Sequence, residues 1–201
     1  MSLPMKMCLG CAGAAGVSGA GYLGYKLLPQ KETFKSKYSL AVDGFLSNRT
    51  IIDKKLGILK EADSNPKNED LKIAKQKKKD SRDEEARTAF EKGCKAIHEE
   101  PTDSQYLDDF KKYCSFNNGD KIVSGKSLVS EKANFDNHWN SFNGKTLDGL
   151  QKGFVEIHKS KKDAADDSWK EKMLGECKRL SDEIFEGEIP NFNDYCTKDG
   201  R

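Results

Sequence analysis

The chain lacks several features that mark common classes of protein. Its 201 residues include 35 basic and 33 acidic side chains, which leaves a formal net charge of only +2. Nucleic-acid-binding proteins usually carry a strong basic excess, so this balance argues against a nucleic-acid partner. Only 35% of the residues are hydrophobic, which indicates a thin-cored and strongly solvated body. No run of useful length alternates apolar and polar residues, and the pattern therefore predicts an all-α fold.

Catalytic and metal-binding spacings are also missing. Cys8 and Cys11 have the spacing of a redox motif, but no strand-to-helix pattern surrounds them. Cys94 and His98 share a helical face, yet no CxxC or HxxxH completes a metal site. Two pairs of adjacent carboxylates point in different directions on a helix and do not predict a catalytic pair: Asp108-Asp109 and Asp166-Asp167. We therefore expect no enzyme, no cofactor, no metal and no small-molecule substrate.

The stretch Met7–Tyr25 contains no formal charge, whereas the rest of the chain is crowded with Lys, Asp and Glu. As a helix it would be roughly 28 Å long, close to the thickness of a bilayer's hydrocarbon core. Lys6 precedes it and Lys26 follows it, which is the charge pattern of a signal peptide or an N-terminal anchor. We predict an uncleaved membrane anchor within residues 1–28. The alternatives are a signal peptide cleaved after Ala20 and a buried helix of a soluble protein.

Glycine and alanine dominate this stretch. Glycine adds little hydrophobic free energy, so insertion into the membrane is weaker than for a leucine-rich helix. Small residues four positions apart let helix backbones approach closely, which offers a compensating contact. The predicted packing positions are Gly10, Ala12, Ala14, Ala15, Gly16 and Gly19.

The rest of the chain predicts a helical body with two related helix-hairpin units. Residues 29–47, rich in lysine, predict a solvated juxtamembrane linker, with contact to anionic lipid headgroups as an alternative. Helical periodicity predicts a first unit over residues 48–115 and a second over 134–201, separated by a linker loop at 116–133. Within the first unit, the charge-dense segment 67–87 predicts a helical face laced with salt bridges.

A repeated pattern relates the two units. Each reads apolar-xxx-Cys-Lys-x-Ile/Leu, then a polar interval, then Phe-x-x-Tyr-Cys-Ser/Thr. The first cysteines, Cys94 and Cys177, lie 83 residues apart, and the second ones, Cys114 and Cys196, lie 82 apart. The repeat is either a duplicated binding module or a duplicated helical hairpin whose Phe, Tyr and Cys are core residues. We favour the hairpin.

Four body cysteines allow three pairings. Duplication favours the pairing that each unit makes alone, Cys94 with Cys114 and Cys177 with Cys196. Each bridge would straddle a helix-turn-helix hairpin and close a loop of about twenty residues. A zinc site that uses all four cysteines is an alternative, and it requires the two repeats to face each other.

The opening MSLPMK…GCAGAAGVSGAGYLGYKLL, the body rich in Lys, Asp and Glu, and the recurring C-K-x-[IL]…F-x-x-Y-C pattern carry a resemblance. They resemble the large paralogous families of uncharacterised proteins in haemotropic mycoplasmas. The similarity is greatest in the leader and next in the cysteine-bearing repeat. It implies a membrane-associated, surface-exposed protein from an expanded family, with no established activity and no catalytic residues to carry over.

These patterns predict a non-enzymatic, single-pass protein of the cell membrane. Its body would lie outside the cell, because four body cysteines suit an oxidising compartment. There it would present a surface or bind an unknown protein or host partner. The lysines after the leader favour the alternative of a cytoplasm-facing membrane adaptor, since positively charged segments tend to stay on the cytoplasmic side of a membrane. A cleaved leader would make the body a secreted protein.

Overall fold

A computed structural model describes residues 31–151 and 153–200 of the chain. The predicted anchor Met7–Tyr25, its six packing positions and the Cys8/Cys11 pair lie outside the described residues. Among the helices that the structure does describe, none is long and apolar enough to cross a membrane.

The described part of the chain is mostly helical. Its ten α-helices are α1 (Phe34–Lys37), α2 (Ser39–Val42), α3 (Arg49–Lys60), α4 (Glu69–Lys79), α5 (Asp83–His98), α6 (Leu107–Tyr113), α7 (Trp139–Asn143), α8 (Gly153–Lys159), α9 (Asp167–Ser181) and α10 (Pro190–Cys196). Short 3-10 helices cover Phe45–Ser47, Asn118–Asp120, Lys132–His138 and Leu147–Gly149. Two strands, β1 (Lys126–Leu128) and β2 (Thr197–Asp199), complete the order of elements.

The two strands form a small antiparallel sheet, so the fold is mostly helical rather than all-α. Leu128 lies opposite Thr197 and Lys126 opposite Asp199. The backbone N–H of Val129 also donates to the carbonyl of Cys196 at 2.8 Å. Strands of three residues are too short to produce an alternating pattern in sequence, which is why periodicity missed them. The predicted linker loop 116–133 therefore contains a strand that pairs with β2.

The structure also departs from the solvated-linker interpretation over residues 31–47. Phe34, Ala41 and Phe45 are fully buried, and the Phe34 ring stacks on that of Phe110 with centroids 4.5 Å apart. Thr33 begins α1 with a capping box. The abundance of lysine obscured an apolar set at helical spacing, which packs this segment onto the first half of the body.

Helix α3 agrees closely with its prediction. The side chain of Asn48 accepts a hydrogen bond from the backbone N–H of Ile51 and caps the helix. Ile52, Leu56 and Leu59 on its apolar face are buried. Because these residues recur at helical spacing, α3 contributes a full stripe to the core.

The charge-dense segment 67–87 forms a helical hairpin rather than one helix. The chain turns at Ser81, whose φ of 61° lies in the left-handed region. Ion pairs cross the turn, joining Lys78 to Asp83 at 2.9 Å and Lys77 to Glu85 at 2.9 Å. The predicted salt-bridge network is present, and it connects α4 to α5.

The buried residues form two hydrophobic cores. The first draws on α1 to α6, and Ile184 and Phe185 from beyond α9 pack against it. The second draws on α7 to α10 and contains many aromatic rings. Residues matched by the repeat are buried in both cores, as the pairs Phe90/Met173, Ile97/Leu180, Phe110/Phe192 and Tyr113/Tyr195. The apolar and cysteine positions of the repeat are therefore core residues in each half.

Candidate functional site

Two disulfides close the two halves of the body. Cys94 is bonded to Cys114, with Cα atoms 5.0 Å apart, and Cys177 to Cys196, with Cα atoms 5.2 Å apart. Both fall within the usual Cα separation of a disulfide. This is the pairing that the repeat favours. The alternative zinc site is wrong for this structure, because all four sulfurs are in disulfides and none is a thiolate that could bind zinc.

Each disulfide joins a long helix to the end of the short helix that follows. Cys94 lies in α5 and Cys114 directly after α6, whereas Cys177 lies in α9 and Cys196 ends α10. Pro190 occupies the first turn of α10, where its missing N–H costs no hydrogen bond. The long helix, turn and short helix thus recur in the same order in both halves.

The halves differ in how the backbone carbonyl of the second cysteine is satisfied. In the first half, His98 Nε2 lies 2.6 Å from the Cys114 carbonyl oxygen. In the second half, Ser181 takes the place of this histidine, and the Cys196 carbonyl accepts from Val129 instead. Burial lowers the pKa of His98, although its hydrogen bond to Cys114 opposes the shift. A neutral imidazole therefore donates to the carbonyl, which gives His98 a structural task.

The two aspartate pairs hold helix ends. Both backbone N–H groups of Lys67 and Asn68 donate to Asp109 Oδ2 at 2.8 Å, just before α4 begins. Asp166 accepts from the backbone N–H of Trp169 at 2.8 Å and caps α9. Asp108 is exposed beside buried Asp109. Asp109 and Asp166 are thus both occupied by backbone N–H groups.

A buried lysine lies where the two halves meet. Only 2% of the Lys55 side chain is exposed. Its ammonium donates to Asn117 Oδ1 and pairs with Asp120 Oδ2 at 3.0 Å. The Asp120 side chain is equally buried and also pairs with Lys54 at 2.6 Å. We call Lys55, Asn117, Asn118 and Asp120 the Lys55 junction.

The Lys55 junction connects the C-terminal ends of two helices. Asn117 Nδ2 donates to the carbonyls of Lys111, in α6, and Asp182, directly after α9, at 3.0 Å each. Asn118 Nδ2 donates to the carbonyl of Leu180 at 2.7 Å. The last carbonyls of a helix have no partner within it and carry the negative end of its dipole. A cation and amide donors are therefore well suited to this position.

The pKa values reflect the opposition between burial and pairing. Burial raises the pKa of Asp120, but the Lys55 ammonium and the hydrogen bonds outweigh it and leave the pKa below its ordinary value. Burial lowers the pKa of Lys55, and the charge of Asp120 opposes that shift. Each of these buried charges requires the other as its partner, because a buried charge without a partner would strongly destabilise the folded protein.

Two clefts flank the Lys55 junction, with volumes of about 590 and 420 Å³. Lys55, Ile58, Asn117 and Asp182 line both of them. The larger cleft also carries charges of both signs on Glu61, Asp63, Asp108, Lys111 and Lys112. Ligand sites often lie in clefts of this size. Sequence reasoning missed this region, since a lysine on an amphipathic helix normally indicates the solvated face.

The remaining predicted positions do not gather at the junction. Lys35 pairs with Glu99 at 3.1 Å and Lys37 with Glu32 at 3.8 Å, so these lysines have acidic neighbours within the body. In the described part of the chain, no three His, Cys, Asp or Glu side chains lie close enough to hold a metal ion. The described residues therefore bring together a polar junction rather than a metal centre.

Comparison with known proteins assigns the chain to no family. No protein-family model, curated protein or solved structure matches it.

Proposed function

We propose that this chain is a single-pass, membrane-anchored protein whose helical body lies outside the cell and acts without catalysis, presenting a surface or binding a partner. The observation that carries the proposal is the pair of buried disulfides, one in each half of the body. Disulfides form and persist in oxidising compartments and are rare in the cytosol. Their presence supports an external body over a cytoplasm-facing adaptor.

The uncharged stretch Met7–Tyr25 supports the attachment. It is long enough to span a hydrocarbon core as a helix, and Lys6 and Lys26 flank it. Among the described residues, the first buried one is Phe34, nine positions after Tyr25 in sequence. Presentation of a folded, highly charged domain close to a membrane is a natural use of this arrangement.

The tasks of the reactive side chains support a role without catalysis. His98 donates to a backbone carbonyl, Asp109 accepts from two backbone N–H groups just before α4, and Lys55 and Asp120 neutralise each other. Catalytic acids and bases need a free face toward a substrate. At each of these residues a polar atom already binds a group of the protein itself.

A partner of the body would meet a polar, mixed-charge surface. Large exposed hydrophobic side chains lie on separate segments of the described chain: Leu40, Ile58, Ile73, Leu107, Val123 and Leu147. Charged residues make up 34% of the sequence, with 35 basic and 33 acidic side chains. Recognition through charged groups fits this surface better, and it would weaken as salt concentration rises.

The test combines sidedness with cysteine chemistry. Protease is added to intact cells that carry the full-length protein, and the same protease is added to lysed cells as the control. Protein from untreated cells is separately alkylated without reduction and mapped by peptide mass. We expect loss of the body from intact cells and peptides that link Cys94 to Cys114 and Cys177 to Cys196.

Three other outcomes would each contradict the proposal. A body protected in intact cells, lost only on lysis and carrying four free thiols would identify the cytoplasm-facing adaptor. A soluble form in the culture medium, starting near Gly21, would identify a secreted protein with a cleaved leader. Full-length protein that leaves the membrane pellet in alkaline carbonate would also exclude the anchor.

A further inference from the structure

The two cores are closed independently of each other. The first contains the Cys94–Cys114 disulfide and the second the Cys177–Cys196 disulfide. Each disulfide links two cysteines of the same half, about twenty positions apart, so neither bond connects one half to the other. The relative position of the cores must therefore depend on non-covalent contacts and on the chain between them.

A ladder of hydrogen bonds joins the halves beside the Lys55 junction. Asn118 N donates to the carbonyl of Glu183 at 3.0 Å, and Phe185 N donates to the carbonyl of Phe116 at 2.9 Å. The ammonium of Lys121 lies over the Phe116 ring, 3.5 Å from its centroid, and within 5.7 Å of the Phe185 centroid. This short ladder runs from residues 116–118 to the chain just after α9.

Lys55 is the positive charge buried at the centre of this ladder. It holds the Asn117 amide through Oδ1, and the Nδ2 of the same amide binds one helix of each half, α6 and the end of α9. It also neutralises Asp120, whose carboxylate accepts from Asn117 N at 3.0 Å. Without the ammonium, two helix C-termini and a buried carboxylate would retain only the half-exposed ammonium of Lys54, which pairs with Asp120.

We propose that the Lys55 ammonium is the latch that holds the two cores in one arrangement, and that its removal lets the cores move and unfold independently. The clefts beside the junction provide room for such movement, and Lys55 and Asn117 line both of them. Each core retains its own disulfide when the latch opens. The movement is therefore a hinge between folded units rather than general unfolding.

The two tryptophans make this device testable in the full-length, oxidised protein. Trp139 and Trp169 both belong to the second core, and the chain has no others. Tryptophan fluorescence reports unfolding of the second core, whereas far-UV circular dichroism reports the helices of both. In urea titrations of the wild type, we expect the two transitions to coincide. In Lys55→Met, we expect them to separate, with the hydrogen exchange of residues 116–121 faster by roughly 100-fold.

Lys54→Met is the matched control. Lys54 pairs with the same Asp120 from the next position, but its side chain is 52% exposed. Its loss should leave the transitions coincident, because the Lys54 ammonium is half in water and Lys55 still neutralises Asp120. Where Lys55→Met fails to fold, Lys55→Met/Asp120→Asn removes the uncompensated carboxylate and should show separate transitions. Coincident transitions in the folded Lys55 variants, or equal effects of Lys54→Met and Lys55→Met, would overturn the proposal.

Discussion

His98 and Cys114 connect the two arms of the first hairpin at a second point, one helical turn from the disulfide. The histidine follows Cys94 by four residues in α5, and its Nε2 lies 2.6 Å from the carbonyl oxygen of Cys114. The Phe45 and Phe110 rings meet the imidazole edge to face, with centroids 6.1 and 5.9 Å away. The disulfide and the imidazole therefore depend on the same packing.

Stability should decrease in mild acid because of this histidine. Burial puts the pKa of folded His98 below its ordinary value of 6.5. The unfolded chain then binds more protons below that pH, so the stabilisation is complete above about pH 6.5 and decreases as the pH falls. We expect the free energy of unfolding to fall by up to about 1.4 kcal/mol per pH unit from this group.

Urea titrations between pH 7.5 and about pH 5 measure this slope. His98→Gln retains an amide donor but does not titrate, and it should flatten the curve. Burial also lowers the pKa of half-buried His138, so His138→Gln should remove a separate part of the slope. An unchanged slope in His98→Gln would contradict the assignment.

Either disulfide should contribute a similar amount of stability. The bonded residues are 20 positions apart in one case and 19 in the other, and chain entropy predicts ~3 kcal/mol for loops of this size. We expect Cys94→Ser/Cys114→Ser and Cys177→Ser/Cys196→Ser each to lose about this much in urea unfolding. Reducing agent should destabilise the wild type by the sum and leave a variant with all four substitutions unchanged. A large effect of reductant on that variant would refute this prediction.

Glycines at two helix positions should respond oppositely to alanine. A Cβ added at Gly93 would lie 2.9 Å from Asn68 Oδ1 and 3.3 Å from Leu71 Cδ2, because α4 crosses α5 closely there. We expect Gly93→Ala to destabilise the protein by about 1–3 kcal/mol through crowding. Gly175, in α9, has nothing within 4 Å of its added Cβ. Gly175→Ala should stabilise the protein by ~0.5–1 kcal/mol, and thermal unfolding would show two shifts of opposite sign.

The carboxylate of Asp109 should be needed as an acceptor rather than as a charge. One oxygen receives both backbone N–H groups before α4, and the residue is buried. Asp109→Ala should cost about 1–3 kcal/mol, since two donors lose their partner. Asp109→Asn keeps an acceptor oxygen and should cost less. Asp108→Ala, at the exposed neighbour, is the control, and equal effects at both positions would disprove the role.

The repeat and the helical periodicity were the most informative parts of the sequence. Cys94, Cys114, Cys177 and Cys196 could be paired because duplication implies that each unit closes alone. Helix α3 was predictable because its cap and apolar stripe are local features. Information of this kind is contained within one helix or one hairpin.

The features that sequence reasoning missed depend on contacts between distant residues. Lys55 looks solvated until Asn117 and Asp120, more than sixty positions away, are placed against it. Phe34 and Phe45 lie among lysines, and only their contacts with Phe110 and Phe116 show that the segment is packed. A tertiary partner overrides local composition in each case.

The short span of both disulfides has a consequence for biogenesis. Chains are synthesised from the N-terminus, and Cys94 and Cys114 both emerge long before Cys177. The Cys94–Cys114 bond can form before the cysteines of the second half are made. At that stage, of the three other body cysteines, Cys94 can bond with Cys114 alone. Once that bond has formed, Cys177 and Cys196 have only each other within the body. The order of synthesis therefore directs these four cysteines toward the native pairing.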